Sequence, residues 1–306
     1  MSSQGKQSIL ITGATAGIGR HAALHFTRKG HHVIATGRRP DALEKLRAEA
    51  AGASGKLDPL VLDVTNGSSI AAAAEAALGL TEGRGIDALI NNAGYGLGGP
   101  LEELSDQDLR AQFETNVFGL LAVTRAFLPQ LRARGGGRIL NLSSVGGRFT
   151  FPLFGAYHAT KYAVEAISDA MRNELRPFGI HVVLIEPGVI KTEFAERSVA
   201  LVKRYERSDS PYASVYARAD ELKAQTDRQA VGPEVIARAM ERALAARRPA
   251  ARYMAPFRAR ILLVLLRLLP TRLTDALLRA ATGLTRKRLN TSGAKQQPPN
   301  TAAAAR

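Results

Sequence analysis

Residues 12–19 read TGATAGIG and place three glycines between an apolar run, SILI at 8–11, and a helix-compatible stretch that starts at Arg20. Glycine adopts a positive φ without steric cost and lets a ligand approach the backbone closely. A strand, a glycine turn and a helix predict a phosphate cradle, because the first amides of a helix are unpaired and lie at the positive end of its dipole. The alternative is a tight strand-to-helix turn that binds nothing.

Short runs rich in Val, Ile and Leu recur along the chain, and longer helix-like segments separate them. The runs begin at Ser8, His32, Pro59, Asp87, Arg138 and His181. They are apolar throughout, as strands buried on both faces of a parallel sheet are. This alternation predicts an α/β fold with a doubly wound parallel sheet, a Rossmann fold, and ARYMA at 251–255 fits one further short strand.

A chain of 306 residues with 45% hydrophobic residues can bury one large α/β core, which we predict over 1–255. The absence of cysteine excludes disulfides and thiolate metal sites, so we predict no metal site and a cytoplasmic location. The start, MSSQGKQ, contains no apolar signal segment. The longest apolar run near the carboxyl end, ILLVLL at 261–266, has six residues, whereas a spanning helix needs about 20.

The net charge of +15 is concentrated near the carboxyl end, where the stretch from Arg252 to Arg288 holds nine Lys or Arg and one acid. Leucines recur there at helical spacing on both sides of Pro270, which predicts a basic amphipathic helical extension over 256–288. Such helices either pack on the enzyme or across a subunit interface, or rest on an anionic membrane. Residues 289–306 are polar and aperiodic, which predicts a disordered tail.

A second nucleotide signal lies in HVIATGRRP, residues 32–40, where a predicted strand ends in Arg38 and Arg39. A carboxylate at this place binds the ribose 2′-hydroxyl of NAD, whereas an arginine accommodates the 2′-phosphate of NADP. The nearest acid, Asp41, fits the first turn of the next helix. The sequence therefore favours NADP(H) over NAD(H), with Arg38 beside the phosphate. The alternative is that both arginines are only solvated.

The stretch YHATK, residues 157–161, carries the chemistry. Tyr157 and Lys161 stand at i and i+4 on one predicted helix face, where a lysine ammonium lowers the pKa of a phenol from about 10. Such a phenol gives or takes a proton. Upstream, LNLSSVGG ends an apolar run and presents Ser144, whose hydroxyl can bond a substrate oxygen. Taken alone, the Tyr–Lys pair is a weak signal, because Tyr and Lys often meet at this spacing on a surface helix that has no catalytic role.

These motifs together resemble the short-chain dehydrogenase/reductase family, in family order from about Ser8 to Ala255, and the carboxyl-terminal extension is similar to that of retinol and steroid dehydrogenases. The matching positions are Gly13, Gly17 and Gly19 in the glycine turn, Asp63 in LDV, Asn92, Ala93 and Gly94 in NNAG, Asn116 in TNVFG, Ser144, Tyr157, Lys161, and Pro187, Gly188 and Thr192 in PGVIKT. Ser144 lies thirteen residues before Tyr157, as the family requires.

The resemblance implies hydride transfer between a nicotinamide and an alcohol or carbonyl carbon. It assigns catalysis to Ser144, which binds the reacting oxygen, to Tyr157 as general acid and base, to Lys161, and to Asn116, which holds a water. The predicted cofactor-binding set is Gly13, Thr15, Gly17, Ile18, Gly19, Arg38, Asp63, Val64, Asn92, Ala93, Gly94, Tyr157, Lys161, Pro187, Gly188, Val189, Ile190 and Thr192.

Two segments bear on the substrate. The stretch between Ser144 and Tyr157 carries four large apolar side chains that predict a lipophilic pocket, or else ordinary packing at a helix start. They are Phe149, Phe151, Leu153 and Phe154. Residues 193–230 stand where the family places its substrate lid, and they contain three tyrosines, Tyr205, Tyr212 and Tyr216.

We therefore expect an NADP(H)-dependent oxidoreductase that acts on a lipophilic alcohol or carbonyl compound, similar to a steroid, retinoid or fatty-acyl substrate. The alternative is a catalytically silent NADP-sensing protein of the same fold. We predict no nucleic-acid partner, because the arginines of 256–288 alternate with leucines and lack interleaved stacking aromatics. The resemblance implies a homodimer or homotetramer built on the helix near 105–134 and the helix that carries Tyr157.

Overall fold

The computed structural model describes residues 5–286 and 289, apart from the side chains of residues 262 and 267. Seven parallel strands form one sheet in the order β3-β2-β1-β4-β5-β6-β7. The strands are β1 (Ser8–Ile11), β2 (His32–Gly37), β3 (Lys56–Val61), β4 (Ala88–Asn91), β5 (Gly137–Leu142), β6 (Ile180–Pro187) and β7 (Arg252–Ala255). The predicted doubly wound parallel sheet is confirmed, with its strand order reversing between β1 and β4.

Helices connect the strands and cover both faces of the sheet. They are α1 (Gly17–Arg28), α2 (Pro40–Glu49), α3 (Gly67–Leu80), α4 (Asp106–Phe113), α5 (Gly119–Ala133), α6 (Gly155–Glu174), α7 (Glu193–Lys203), α8 (Ala213–Tyr216), α9 (Ala219–Gln229), α10 (Glu234–Ala245), α11 (Phe257–Leu268) and α12 (Thr271–Thr282). A π-helical turn, Glu114–Phe118, joins α4 to α5, and a 3₁₀ turn, Val145–Gly147, follows β5.

Successive side chains of each strand enter two separate cores, one on each face of the sheet. Ile9 and Ile11 face a core that contains Phe26 of α1, whereas Leu10 faces a core that contains Phe127 of α5. All five side chains are at most 1% exposed. Because alternate positions enter a core on each face, the central strand β1 is buried along its whole length.

A buried chain of polar side chains ties the central strands to the helices on one face. The amide of Asn91 in β4 donates to the Thr124 hydroxyl at 2.8 Å and to the Asn141 side chain in β5 at 2.9 Å. Asn141 in turn donates to the Ser168 hydroxyl of α6 at 2.9 Å. These bonds fix β4, β5, α5 and α6 relative to one another, directly below the edge where ligands bind in this fold.

The predicted lid at 193–230 contains α7, α8 and α9, and the predicted extension at 256–288 contains α11 and α12. The predicted tail at 289–306 lies outside the described residues, except for Leu289. Within the described part of the chain, the model contains no helix with the length and apolarity needed to cross a membrane. The division into catalytic domain, extension and tail stays a prediction.

Candidate active site

The glycine turn after β1 adopts backbone that only glycine fits. Gly13 and Gly17 have φ of +65° and +55°. A Cβ at Gly19 would collide with the carbonyl oxygen of Gly13 and with the side-chain amide of Asn92. The Gly17 amide, at the start of α1, donates to the carboxylate of Glu193 at 3.1 Å. The first amide of α1 therefore already binds an anionic oxygen, as the amides at a helix N-terminus favour.

Thr12 holds this turn against the end of β4, although the predicted site set does not include it. Its hydroxyl accepts hydrogen bonds from the backbone amides of Asn92 and Ala93, both at 2.9 Å. The Asn92 side chain donates back to the Thr12 carbonyl at 2.8 Å. The only sequence signal for Thr12 is its place as the first letter of the glycine motif. Its role depends on a contact across 80 residues of chain.

The region at the ends of β2 and β3 brings Asp63, Val64 and Arg38 to the same edge of the sheet. The Asp63 carboxylate accepts hydrogen bonds from the Thr65 amide and hydroxyl at 2.9 and 2.8 Å. Partial burial raises the pKa of Asp63, but these two hydrogen bonds and the positive charge of Arg38 outweigh it and lower that pKa overall. Arg38 is exposed and lies close enough to Asp63 for this influence.

A basic depression of about 270 Å³ lies beside the end of β2. Its lining includes Thr15, Arg39 and Lys45 from three different segments, together with Arg20, which is paired with Glu49. Asp41 is in the first turn of α2, as expected from the sequence. The depression therefore contains two cations, Arg39 and Lys45, that the predicted cofactor set omits.

Asn116 occupies the π-helical turn between α4 and α5 and is 2% exposed. Its side chain accepts from the Tyr95 amide at 3.1 Å and donates to the Tyr95 carbonyl at 3.0 Å. It also donates to the Thr160 hydroxyl of α6 at 3.0 Å. Asn116 thus joins the loop after Asn92–Gly94 to the helix that carries Tyr157.

Ser144, Tyr157 and Lys161 lie together at the carboxyl end of β5. Ser144 has extended backbone after β5, and its hydroxyl accepts from the Gly146 amide at 3.0 Å and hydrogen-bonds Tyr157. Lys161 is one turn beyond Tyr157 on α6, with Nζ 5.7 Å from the centre of the Tyr157 ring. The Lys161 ammonium donates to the Leu142 carbonyl at 2.8 Å.

Burial dominates the protonation of this group. It raises the pKa of Tyr157 to about 12, against the lowering effect of the Ser144 hydrogen bond. It lowers the pKa of Lys161 to about 8, against the raising effect of the Glu165 carboxylate. The pKa of Tyr157 is therefore raised overall, and the expected net lowering is wrong for this structure. Here the desolvation of the phenol outweighs any effect of the nearby ammonium.

The segment after β6 brings the rest of the predicted cofactor set to the glycine turn. Thr192 caps α7 through a hydrogen bond from the Phe194 amide, and its Cβ lies 3.5 Å from the place a Gly17 Cβ would take. Gly188 lies against Ala259 of α11. Val189 is 39% exposed at this edge. The other predicted positions here are Pro187 at the end of β6, and Ile18 and Ile190, which pack against the core.

Phe194, in the first turn of α7, lies over the catalytic group, although the predicted set does not include it. Its ring centre is 5.4 Å from that of Tyr157. A Cβ at Gly96 would collide with the same ring, so the loop after β4 passes directly beneath it. Phe154 and Val202 meet at Gly98, on the same loop. Of the four apolar residues predicted to wall the pocket, Phe154 places its ring against this loop, and Leu153 accepts a hydrogen bond from the Gly99 amide at 2.7 Å.

The three lid tyrosines do not extend toward Tyr157. Each phenol instead hydrogen-bonds a carboxylate of the segment 102–108, and the pairs are Tyr205 with Asp108, Tyr212 with Glu102, and Tyr216 with Glu103. The hydrogen bond to Glu102 raises the pKa of Tyr212 to about 12. These three hydrogen bonds connect the lid to the first turn of α4 and to the segment that precedes it.

A doubly wound parallel sheet, a glycine cradle and a Ser, Tyr and Lys group at one edge together define a dinucleotide-binding oxidoreductase. The chain belongs to the short-chain dehydrogenase/reductase family, because the family model described as short chain dehydrogenase matches residues 7–201. Members of this family bind a nicotinamide cofactor and a small-molecule substrate.

Three relatives illustrate the range of the family around this chain. The uncharacterized oxidoreductase YbbO of Escherichia coli K12 is 37% identical, over 89% of this chain and 94% of the relative. The 3-ketodihydrosphingosine reductase of Bacteroides thetaiotaomicron is 35% identical, over 83% and 87%. Human retinol dehydrogenase 16 is 35% identical, over 88% and 87%.

Two solved structures share the fold and differ in cofactor. A family member from Burkholderia phymatum, in complex with NAD, superposes with a TM-score of 0.75 at 27% identity, over 87% of this chain and 95% of that one. An alcohol dehydrogenase from Thermococcus sibiricus, complexed with 5-hydroxy-NADP, superposes with a TM-score of 0.67 at 25% identity, over 82% and 96%. The fold therefore accommodates either dinucleotide.

Proposed function

We propose that this protein is an NADP(H)-dependent oxidoreductase that interconverts an alcohol and a ketone or aldehyde on a lipophilic substrate. The observation that carries the proposal is the convergence of Ser144, Tyr157 and Lys161, with Asn116 joined to the same helix. A catalytically silent NADP sensor of this fold has no need for all four residues, and their joint retention favours an enzyme.

The residues around the glycine turn fit a dinucleotide. Gly13 and Gly19 leave no room for side chains, and the Gly17 amide already donates to a carboxylate oxygen. We assign the pyrophosphate to this turn, the adenine side to Asp63 and Val64, and the nicotinamide side to Asn92–Gly94 and Pro187–Thr192. When bound, the cofactor supplies or accepts a hydride at its nicotinamide ring.

The proton is handled by Tyr157. A phenol with a pKa near 12 keeps its proton at neutral pH, so Tyr157 is ready to donate it to a carbonyl oxygen during reduction and to take it back during oxidation. Ser144 donates a hydrogen bond to the same oxygen and stabilises the charge that develops on it. Lys161, as an ammonium beside Tyr157, stabilises the phenolate left after proton transfer. Asn116 positions the backbone on both sides of the site.

We predict that Tyr157→Phe lowers turnover by at least about 10²-fold, the usual contribution of a general acid, while NADPH binding stays nearly unchanged. Steady-state oxidation of NADPH and fluorescence titration of NADPH measure the two quantities. Tyr162→Phe is the matched control, because Tyr162 is on the same helix and 45% exposed. Parental turnover in the Tyr157 variant would refute the proton-transfer role. A parent that binds NADPH and turns over no carbonyl compound would favour the sensor.

The preference for NADP(H) rests on positive charge at the end of β2. Arg38 is exposed beside Asp63, and Arg39 and Lys45 line the adjacent basic depression. Among the residues that line this depression and at position 38, the acids are Asp41, which starts α2, and Glu49, which is paired with Arg20. A 2′-phosphate at this edge meets three cations, whereas a 2′-hydroxyl would lack the carboxylate that typically binds it.

We expect Arg38→Asp to weaken NADPH binding by about tenfold or more, equal to about 1.4 kcal/mol, and to improve NADH binding. Arg39→Asp, measured in parallel, tells which arginine contributes more to the 2′-phosphate. Arg47→Asp is the control, because Arg47 is an exposed residue of α2 outside the depression. Dissociation constants from titration of both dinucleotides decide the point. If both variants keep the parental preference for NADPH over NADH, these arginines do not bind the cofactor.

The lipophilic substrate is supported by the surroundings of Tyr157. Phe194 covers the Tyr157 ring, and Phe154 and Val202 continue the apolar lining along the loop that contains Gly98. The names of two relatives, 3-ketodihydrosphingosine reductase and retinol dehydrogenase, point to long apolar substrates. We infer a substrate that places its carbonyl at Ser144 and Tyr157 and its apolar part between Phe154, Phe194 and Val202.

For a series of ketones and aldehydes of increasing chain length, we predict that kcat/KM rises by up to about fourfold per methylene group. Phe154→Ala should flatten this rise, because it removes part of the apolar wall. Phe178→Ala is the control, since Phe178 is 47% exposed and lies under Arg132 instead of in the site. A parental kcat/KM that does not respond to chain length would contradict the lipophilic pocket.

We also propose a homodimer or homotetramer in which α4–α5 and α6 form the contact. Each of these segments presents an exposed aromatic side chain, Phe118 at 54% and Tyr162 at 45%. The proposed location is the cytoplasm, with the enzyme held at a membrane surface by the carboxyl-terminal helices.

The membrane contact rests on an apolar stripe of α11 that the rest of the described chain leaves uncovered. Its members, Ile261, Val264, Leu265 and Leu268, follow helical spacing and are 49–75% exposed. Arg258 and Arg260 flank the stripe on the same helix. The opposite side of α11 packs inward through Leu263, which is 7% exposed. Arginines beside an apolar stripe suit an anionic lipid surface, at about 1 kcal/mol per cation.

We expect the parent to sediment with phosphatidylserine-containing vesicles at low salt, and the variant Val264→Asn/Leu268→Asn to lose this binding while its melting temperature stays close to the parental value. Val61→Asn, at a 50% exposed position of β3, is the control. Substitution is preferable to truncation, because α11 also packs against Gly188. If the parent does not bind the vesicles and the double variant changes the oligomeric mass, the stripe is a subunit contact instead.

A further inference from the structure

Five ionisable side chains converge behind the catalytic group, and the proposed mechanism uses none of them. Glu165 and Asp169 project from α6, Glu186 from β6, Arg252 from β7, and Arg148 from the end of the 3₁₀ turn. Arg252 lies 3.1 Å from Glu165, 3.2 Å from Glu186 and 2.7 Å from Asp169. Arg148 lies 3.3 Å from Glu186 and 3.9 Å from Glu165.

Two of these carboxyl groups are buried against each other. Glu186 is 1% exposed and Glu165 is 6% exposed. Among the described residues, the buried oxygen Oε1 of Glu165 has no hydrogen-bond donor. Two ionised carboxylates in contact repel one another, and a single proton between them removes the repulsion and supplies the missing donor. Burial and the charge of Glu165 raise the pKa of Glu186 to about 7, against the opposing effects of Arg148 and Arg252.

This pair is connected to the catalytic group through the backbone and through charge. Glu165 is one helical turn beyond Lys161, and it is the carboxylate whose charge opposes the burial-induced fall in the pKa of Lys161. Glu186 directly precedes Pro187 and Gly188. Arg148 directly follows Gly147, where a Cβ would lie only 3.0 Å from the Lys161 carbonyl oxygen and from Cγ of Glu165.

We propose that Glu165 and Glu186 share one proton and that the negative charge left on the pair keeps the buried Lys161 in its ammonium form. Both are positioning residues, because neither reaches the substrate. The groups that face them are Lys161 and Asp169 on α6, Arg148 after β5, and Arg252 on β7. Arg172 balances Asp169 from the same helix. The inference rests on the proposed function, in which Lys161 acts as a cation.

The first test is the pH profile of kcat/KM. Glu165→Gln leaves the negative charge of the pair on Glu186, whereas Glu165 is the carboxylate whose charge raises the pKa of Lys161. Lys161 should therefore lose its proton at lower pH, and the alkaline limb should move down by at least about half a pH unit. Glu165→Asp keeps the charge and should restore most of the limb. Glu174→Gln is the control, because Glu174 is an exposed residue at the end of the same helix. A merely structural role would lower activity at every pH without moving the limb.

The second test needs no activity. Because the folded protein holds the proton of Glu186 up to a pKa near 7, above the unfolded value of 4.5, the parent loses stability as the pH rises from about 4.5 to about 7. Gln at this position does not titrate. The melting temperature of Glu186→Gln minus that of the parent should therefore be more positive at about pH 8 than at about pH 5.5.

The outcomes separate the two proposals. An unshifted limb in Glu165→Gln, or a melting difference for Glu186→Gln that does not change with pH, would overturn the shared proton. If Lys161→Met retains parental turnover, the proposed function fails at Lys161, whatever the carboxyl pair does. If Lys161→Met is inactive and the limb in Glu165→Gln stays in place, only the role of the pair is refuted.

Discussion

The junction between the glycine turn and the end of β4 is the constraint on which the cofactor side of the site depends. Thr12 accepts two backbone hydrogen bonds from Asn92 and Ala93, and the Asn92 amide fills the space that a side chain at Gly19 would need. Because this contact joins two neighbouring strands at the point where the strand order reverses, it sets both the shape of the glycine turn and its distance from the loop after β4.

Burial is the second constraint, and it determines the protonation of Tyr157 and Lys161. The same exclusion of water raises the pKa of the Tyr157 phenol and lowers the pKa of the Lys161 amine, because burial disfavours the charged form of each group. A site of this kind has to supply compensating charge from its own neighbours. Glu165, one turn beyond Lys161 on α6, supplies negative charge that raises the pKa of Lys161. Arg148 and Arg252 form ion pairs with both Glu165 and Glu186.

The sequence predicts the sheet well because the central strands are apolar on both faces. The family order of the motifs also predicts that Ser144, Tyr157 and Lys161 lie together. It does not predict Phe194, whose contact with Tyr157 depends on how the lid folds back. It also misjudges the pKa of Tyr157, since the spacing to Lys161 is visible in the sequence and the desolvation of the phenol is not. The sequence does not predict the role of Thr12 for a similar reason, because its hydrogen-bond partners lie about 80 residues further along the chain.

The π-helical turn at Asn116 also sets the rotational phase of the helix that contains it. One extra residue in a helical turn advances everything that follows by roughly 100° about the axis. With that advance, Gln112 and Asn116 face the loop after β4, while Val123 and Phe127 of α5 enter the core of the sheet. In a regular helix of the same sequence, only one of these two pairs could reach its partner. We therefore expect an insertion or deletion in this stretch to be more damaging than a substitution.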